Sequence, residues 1–459
     1  MEGNVHFVGV AGTGMSALAQ MSAFKGERVS GSDRLSESRE FSDSRTRLER
    51  LGVKIFPQDG SGIDASTRRV VASTAIESDN RDLARARELG IPVVHRADEL
   101  AALAAGYRTV AVGGTSGKST VTAMIFHILE TAGRSPSLVS GANLISLRRR
   151  GWLGNACKGN SDLLVIEADE SDGTLTRYRP FLGVLLNLSK DHKEPAELEK
   201  LFGLFKERSG RFTVNADAAG LSRFQDGGPS FGFESGRLRG ADLELGAGFC
   251  RFRVDGVRFE LPLSGRHNAD NALAAAAACL ELELPLADSA RALSSYEGVS
   301  RRFERLGVGR GVEVIDDFAH NPDKVKAAIA AARLRCRRIL AVFQLHGFSP
   351  ARFLRPELTQ AFAESLAPED ILWLPEIYYA GGTAAKDISA RDYAESLQAL
   401  GKDARFSPQR EDIVAEVAAE ARSGDLVLVM GARDPSLSAF ARRILEGLAS
   451  PAQMRPKSS

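Results

Sequence analysis

Cysteine is scarce and scattered in this chain. Cys157, Cys250, Cys279 and Cys336 form no CxxC pair, which excludes a zinc ribbon or a dithiol redox motif and leaves four reduced core thiols. An excess of either charge is missing too. Sixty Lys and Arg against 59 Asp and Glu give a net charge of +1, so no whole-chain field draws nucleic acid or anionic lipid, and only a local basic cleft stays open. Long hydrophobic runs are also absent. The apolar run in MEGNVHFVGVAGTG is cut by glycines and lacks a basic flank, so it reads as a buried strand rather than a signal peptide. The longest apolar helical stretch, Ala272 to Leu284, carries Glu281 and Glu283 and is too short for the roughly 30 Å of a bilayer core. There is no fixed-period repeat and no low-complexity tract. The expectation is a soluble, cytoplasmic protein with neither a nucleic-acid nor a membrane partner.

What is present is ample core-forming material: 43% hydrophobic residues over 459 positions, enough for about three domains at roughly 150 residues each. Apolar runs of four to seven residues alternate with stretches of helical periodicity, the pattern of βα units feeding parallel sheets. Three α/β blocks are expected, over 1–105, 106–298 and 299–459. The first has strands at Val5 to Val10, at the segment ending Gly31-Ser32-Asp33, at Arg69 to Ala72 and at Ile91 to Val94. The second has strands at Thr109 to Val112, Leu163 to Ile166 and Val184 to Asn187, then short strands from Asp242 to Leu263 and an Ala-rich helix from His267. The third has strands near Val312 to Ile315, Arg338 to Phe343, Ile371 to Leu374 and Leu426 to Met430, with helices from Pro322, Arg391, Glu411 and Ser436.

The second block opens with Gly113-Gly114-Thr115-Ser116-Gly117-Lys118-Ser119-Thr120 between a strand and a helix. Such a loop is a phosphate cradle by mechanism, because glycines let backbone N–H groups approach an anion at the positive end of a helix. Lys118 would sit on the β and γ phosphates, and Ser119 would offer its hydroxyl to Mg²⁺. The spacing departs from GxxxxGK[ST], since Val112 stands where the first glycine is expected. Glu167-Ala168-Asp169-Glu170-Ser171-Asp172 follows a buried strand, placing carboxylates at the carboxyl end of a sheet as metal-site candidates. Asn187-Leu188-Ser189-Lys190-Asp191-His192 follows another, and His192 reads equally as a metal ligand or a core-edge hydrogen bonder.

GGTSGKST, EADESDG, NLSKDH, SGRHNADNALAAAAA, RRFE and DDFAHNP, in that order along the chain, resemble the Mur ligase family. The resemblance covers the whole length. It implies an N-terminal Rossmann-like domain that binds a UDP-sugar, a central P-loop ATPase-like domain with a mostly parallel sheet, and a C-terminal Rossmann-like domain that binds an amino acid. HFVGVAGTGMSALA, SGSD, STAIESDN and IPVVHRADELAAL are similar to the branch that joins L-alanine to UDP-N-acetylmuramate. That branch implies ATP and Mg²⁺ as cofactors, an acyl phosphate intermediate, and a place in peptidoglycan precursor synthesis. Alternatives are a divergent ligase adding another amino acid or a peptide, or a non-catalytic UDP-sugar or nucleotide binder.

The resemblance also implies roles for individual residues. Lys118 and Ser119 match the phosphate and Mg²⁺ positions, with Gly114, Thr115, Gly117 and Thr120 completing the loop. Glu167 and His192 match a second metal site, and His267, Asn268 and Asn271 the adenine side of ATP. Arg302 matches an arginine that reaches the phosphates, and Asp317 and His320 a stretch that closes over ribose and phosphate. Lys118, Glu167, His192 and Arg302 form the implied catalytic set. The turn of Gly9, Gly12, Thr13, Gly14 and Met15, with Asp33 and Ser73, would take the UDP-sugar, although a GxxGxG turn alone suits a nicotinamide dinucleotide equally well. His346 and Arg352 are the candidates for the incoming amino acid. Structural readings remain open beside these: His267 as a helix N-terminal hydrogen bonder, Asp317 as a strand-end turn residue, Arg302 as a surface charge.

Several positions depart from the alanine-adding pattern. Ser116 replaces a histidine and Ser119 a threonine. Gln344-Leu345-His346-Gly347-Phe348-Ser349-Pro350 lacks two arginines of the segment QPHRYxRT, leaving Arg352 and Arg355 nearby. Gly382 stands where an acidic residue is usual, and Arg433 interrupts GAGD. Lys206 lies where some Mur ligases carry a carbamylated lysine, but a lysine on an amphipathic helix face is ordinarily solvated.

Overall fold

The computed structural model describes residues 3–170, 174–189, 195–379, 381 and 385–449. The chain forms three α/β domains built on three sheets. Two compact units hold them: one carries the first two sheets through Val299, and the other carries the third sheet together with Leu245–Cys250 and Leu263–His267.

The first sheet has five parallel strands in the spatial order Lys54–Pro57, Arg28–Asp33, Asn4–Val8, Thr67–Ala72, Val93–His95. The chain starts in the middle and winds outward both ways, which puts a crevice at the carboxyl ends of the central strands. The helix Thr13–Phe24 enters at that end, burying Met15, Ala17, Leu18, Ala19 and Met21. The helix Ser42–Arg50 buries only Leu48, so its sequence shows no apolar stripe.

The second sheet has ten strands. Its parallel centre pairs Arg108–Gly113 with Leu163–Glu167 on one side and Leu182–Leu185 on the other. The helix Lys118–Thr131 is buried from Ser119 through Phe126 and again at Ile128 and Leu129, as expected for a helix covered on all sides. The short strands expected after Asp242 are Leu238–Gly246, Phe249–Val254 and Val257–Leu261.

The third sheet runs Glu304–Gly309, Val312–Asp317, Leu426–Gly431, Ile339–Gln344, Ile371–Leu374, Asp403–Phe406, antiparallel only in the first pair. Its strands serve a core on each face. Leu426, Leu428 and Met430 enter one cluster while Val427 and Val429 enter the other, which is why the strand reads as a continuous apolar run. Asn321 caps the helix Pro322–Arg333 by accepting from the Lys324 amide, with proline at the first position.

Two local features have measurable consequences. His6, fully buried on Asn4–Val8, shares hydrogen bonds with Ser30 Oγ at 2.8 Å and Ser32 Oγ at 3.1 Å. Ser32 Oγ in turn donates to Asp82, whose other oxygen accepts the Gly60 amide at 2.7 Å. Burial pushes the His6 imidazole down to about 4, so it is neutral at pH 7. The unfolded chain binds the proton more readily between the two values, and stability must fall as pH drops from 6.5 toward 4. In the third domain Arg433 is exposed and left-handed, with φ 59°, where a side chain is strained and glycine is not.

Replacing His6 with Gln should reduce the stability lost between pH 7 and pH 4 by about 3 kcal/mol. Equal losses in the two proteins, read from urea midpoints, would remove His6 as the source. Arg433→Gly should raise stability by about 1 kcal/mol, and an unchanged or lower denaturation midpoint would contradict the strain.

Candidate active site

The parallel register between Arg108–Gly113 and Leu182–Leu185 pairs Gly113 with Leu185. Asn187, two residues further on, therefore arrives beside the glycine-rich loop. Its Oδ1 accepts from Thr115 Oγ1 at 2.9 Å and from the Ser116 amide at 2.8 Å, while its Nδ2 donates to the Ser116 carbonyl at 3.0 Å. Thr115 Oγ1 also meets Ser189 Oγ at 2.9 Å. Ser116 Oγ is buried without a partner among the described residues. Gly117 has φ 84°, and a Cβ there would lie 2.6 Å from Asn271 Oδ1, so glycine is required by both backbone and neighbour. Thus Asn271 meets the loop, and Asn268, one helical turn earlier, is buried on the same helix.

Lys118 Nζ donates to the Gly114 carbonyl and to Glu170 Oε2, both at 2.7 Å. Burial works against its charge, but Glu170, Asp169 and Glu167 outweigh this and raise its pKa, so it is a cation. Ser119 Oγ donates to Glu167 Oε2 at 3.1 Å. The other oxygen of Glu167 accepts from Ser140 Oγ and the Gly141 amide, each at 2.7 Å. Ser119 and Thr120 are buried in the first turn of their helix. Among the described residues no three His, Cys, Asp or Glu side chains converge as a metal cluster, so the candidate donor set is a hydroxyl beside one carboxylate. His192, Ser171, Asp172 and Gly382 lie outside the described residues. Lys206 is held by the Phe224 carbonyl and by Asp226, each at 2.8 Å.

At the first sheet, Gly9 takes φ 80° and Gly12 caps the helix Thr13–Phe24. Asp33 ends its strand with Oδ2 accepting the Ala11 amide at 2.8 Å and Oδ1 the Leu35 amide at 2.9 Å. Its carboxylate thus shapes the turn from behind. A Cβ on Gly14 would meet Arg96 Nη1 at 2.6 Å, which brings a guanidinium to the helix N-terminus. Met15 is not open to a ligand through its side chain, which is buried in the core. Ser73 is half-buried past the strand Thr67–Ala72, where its Oγ accepts the Ala75 amide at 3.4 Å.

In the third domain Arg301 and Phe303 are both left-handed, at φ 60° and 53°, and Arg302 is held between them. Asp317 accepts the Phe303 amide at 2.6 Å and the Ala319 amide at 2.7 Å, while the Arg301 carbonyl accepts the Phe318 amide at 2.7 Å. Burial pushes the Asp317 carboxyl up to about 6, with Arg302 pulling the other way. The Arg302 guanidinium lies over the Phe318 ring at 4.7 Å. His320 bonds the Phe318 carbonyl at 2.8 Å and stands edge-on to His346, 5.7 Å between rings. The structure therefore gathers Arg302, Asp317, His320 and His346. Arg352 instead pairs with Asp387 and donates to the Ala385 carbonyl. Burial pushes His267 down to about 4, leaving it neutral, and a Cβ on its neighbour Gly265 would lie 2.8 Å from its ring.

Asn187, Glu170 and Ser140 hold the site together and were not anticipated individually. Asn187 and Glu170 stood in motifs read for His192 and for metal-binding carboxylates in general. Ser140 had no signal, because nothing in its neighbourhood marks a serine that will meet Glu167.

Comparison with known proteins gives the family. Models for the Mur ligase family catalytic domain, the Mur ligase middle domain and the Mur ligase glutamate ligase domain match residues 4–108, 112–279 and 301–433. UDP-N-acetylmuramate--L-alanine ligase of Paenarthrobacter aurescens is 38% identical, over 97% of each chain. The protein of that name from Syntrophomonas wolfei is 35% identical over 94% of each. The crystal structure of UDP-N-acetylmuramate-alanine ligase from Thermotoga maritima superposes with a TM-score of 0.81 at 27% identity, over 96% of this chain and 98% of that one. With the three domain types in succession and full-length relatives above 30% identity, the chain belongs to the Mur ligase family.

Proposed function

We propose that the chain is an ATP-dependent ligase that joins L-alanine to the carboxylate of UDP-N-acetylmuramate in peptidoglycan precursor synthesis. The observation that carries this reading is the loop from Gly114 to Thr120, with charged Lys118 and with Ser119 beside Glu167. The full-length relatives named for this reaction support the choice of substrates. The glycine turn of the first domain is the UDP-sugar site, and the Arg302, Asp317, His320 and His346 group serves ATP and the amino acid.

A carboxylate is a poor electrophile, which is why ATP is consumed. One carboxylate oxygen attacks the γ-phosphorus and ADP leaves; the amine then attacks the acyl carbon, and the bond to phosphate breaks as the amine proton is lost. Two anions have to meet in the first step. Lys118 supplies fixed positive charge against that repulsion at the start of its helix, where the helix dipole favours an anion. Ser119 and Glu167 offer an oxygen pair that would hold Mg²⁺, with His192 a further candidate, and such an ion would supply positive charge against the phosphates. Loss of the amine proton calls for a base, a role open to Asp169, or to His192 where it is not a metal ligand.

A second reading, addition of another amine, rests on the segment from Gln344 to Pro350, where two arginines are missing and His346 faces His320. Phosphate release from ATP and Mg²⁺ with UDP-N-acetylmuramate, run against a panel of amino acids and short peptides, decides between them. Release that depends on L-alanine, with a product heavier by one alanine residue, is expected. Release with a different amine alone would move the specificity, and release with none would reject the ligase.

Lys118→Ala should lower turnover by about a thousandfold while UDP-sugar binding stays nearly intact; comparable turnover would reject the phosphate-loop assignment. Glu170→Gln removes an anion that competes with phosphate for Lys118, so the KM for ATP should fall severalfold. A raised KM would show instead that the carboxylate helps to bind the nucleotide.

A further inference from the structure

Asn155 is fully buried, and it precedes the two-residue strand Ala156–Cys157. Each of its side-chain groups is engaged. Nδ2 donates to the Thr13 carbonyl at 2.7 Å and to Ser16 Oγ at 2.9 Å, and Oδ1 accepts from Gln20 Nε2 at 2.8 Å. These three partners lie on the helix whose N-terminus forms the glycine turn of the first domain. The backbone of Asn155 points the other way in function, for its carbonyl accepts the Ser140 amide at 2.8 Å. Ser140 and Gly141 are the residues that hold Glu167 Oε1, and Glu167 Oε2 meets Ser119.

We infer that Asn155 is a positioning residue that couples the sugar-nucleotide turn to the Glu167–Ser119 pair of the phosphate loop. The inference rests on the ligand reading given above. Its physical basis is that a buried carboxamide with all its bonds made tolerates little displacement, because any shift strands donors and acceptors away from water. A ligand that settles the first turn of the helix Thr13–Phe24 also settles Asn155, then the 140–141 segment, then Glu167. Other contacts join these two domains, such as Arg47 with the Arg148 and Trp152 carbonyls and Phe24 edge-on to Trp152 at 5.3 Å. Those partners lie at residues 148 and 152, away from Ser140 and Gly141, which touch Glu167.

The test is calorimetric binding of UDP-N-acetylmuramate to the full chain, with and without Mg²⁺ and a non-hydrolysable ATP analogue. In the unaltered protein the second ligand set should change the sugar-nucleotide affinity by about fivefold or more. In Asn155→Ala the ratio should collapse toward one. Gln20→Met, close in volume to the original, removes the amide that orients Asn155 and should lower the ratio without deleting the core side chain. A purely structural Asn155 would lower the unfolding midpoint and leave the ratio unchanged, and that result, or a ratio of one in the unaltered protein, would overturn the inference. Failure of the unaltered chain to bind either ligand would remove the functional reading and this inference together, whereas binding of both with an unaltered ratio in the variants removes this inference alone.

Discussion

Much of the central domain depends on one carboxamide. The loop between Gly113 and Lys118 lies outside helix and strand, so no ladder holds its backbone, and both ends of the Asn187 side chain bind it at the Thr115 hydroxyl and at the Ser116 amide and carbonyl. That arrangement is a product of strand register. Because Leu185 pairs with Gly113, the residue two beyond the strand end is delivered to the loop, and a slip by one position would send it to the opposite face. Core packing at Val110, Val112, Val184 and Leu185, all fully buried, fixes that register and through it the shape of the anion cradle.

The overall neutrality of the chain conceals a polarised site. Glu167, Asp169 and Glu170 all act on Lys118, so the cradle is acidic around the Lys118 ammonium. A polyphosphate entering such surroundings has to bring or recruit positive charge. In the third domain, Arg302 sits on a strained turn. Arg301 and Phe303 on either side are both left-handed, a conformation that costs energy for side chains of that size. The Asp317 carboxylate maintains it by accepting the Phe303 amide.

The sequence was readable where a segment's own composition decides its structure. LVLVMG at Leu426–Gly431 and LLVIE at Leu163–Glu167 are buried on both faces and could hardly be anything but central strands. Lys54–Pro57, Asp403–Phe406 and Glu304–Gly309 were not seen, since edge strands borrow their order from one paired neighbour and carry polar or glycine-rich sequences. In the site, contiguous motifs were legible and long-range partners were not. Asp33 reads as reaching a ligand, and Asp317 as doing so or as a strand-end turn residue; each accepts one amide of its own turn, Leu35 or Ala319, and one from a distant segment, Ala11 or Phe303. A strand-end aspartate has the same appearance in sequence whichever it does.

Gly117 and Asn271 are far apart in the chain, yet the space a methyl group would need at one is filled by the side-chain oxygen of the other. Neither position is free to vary alone. A larger residue at 117 would displace Asn271 from the loop, and a bulkier residue at 271 would press on a backbone already left-handed. The two should be inherited as a unit, and a designer grafting this loop onto another parallel sheet would have to carry the distant helix residue along with it.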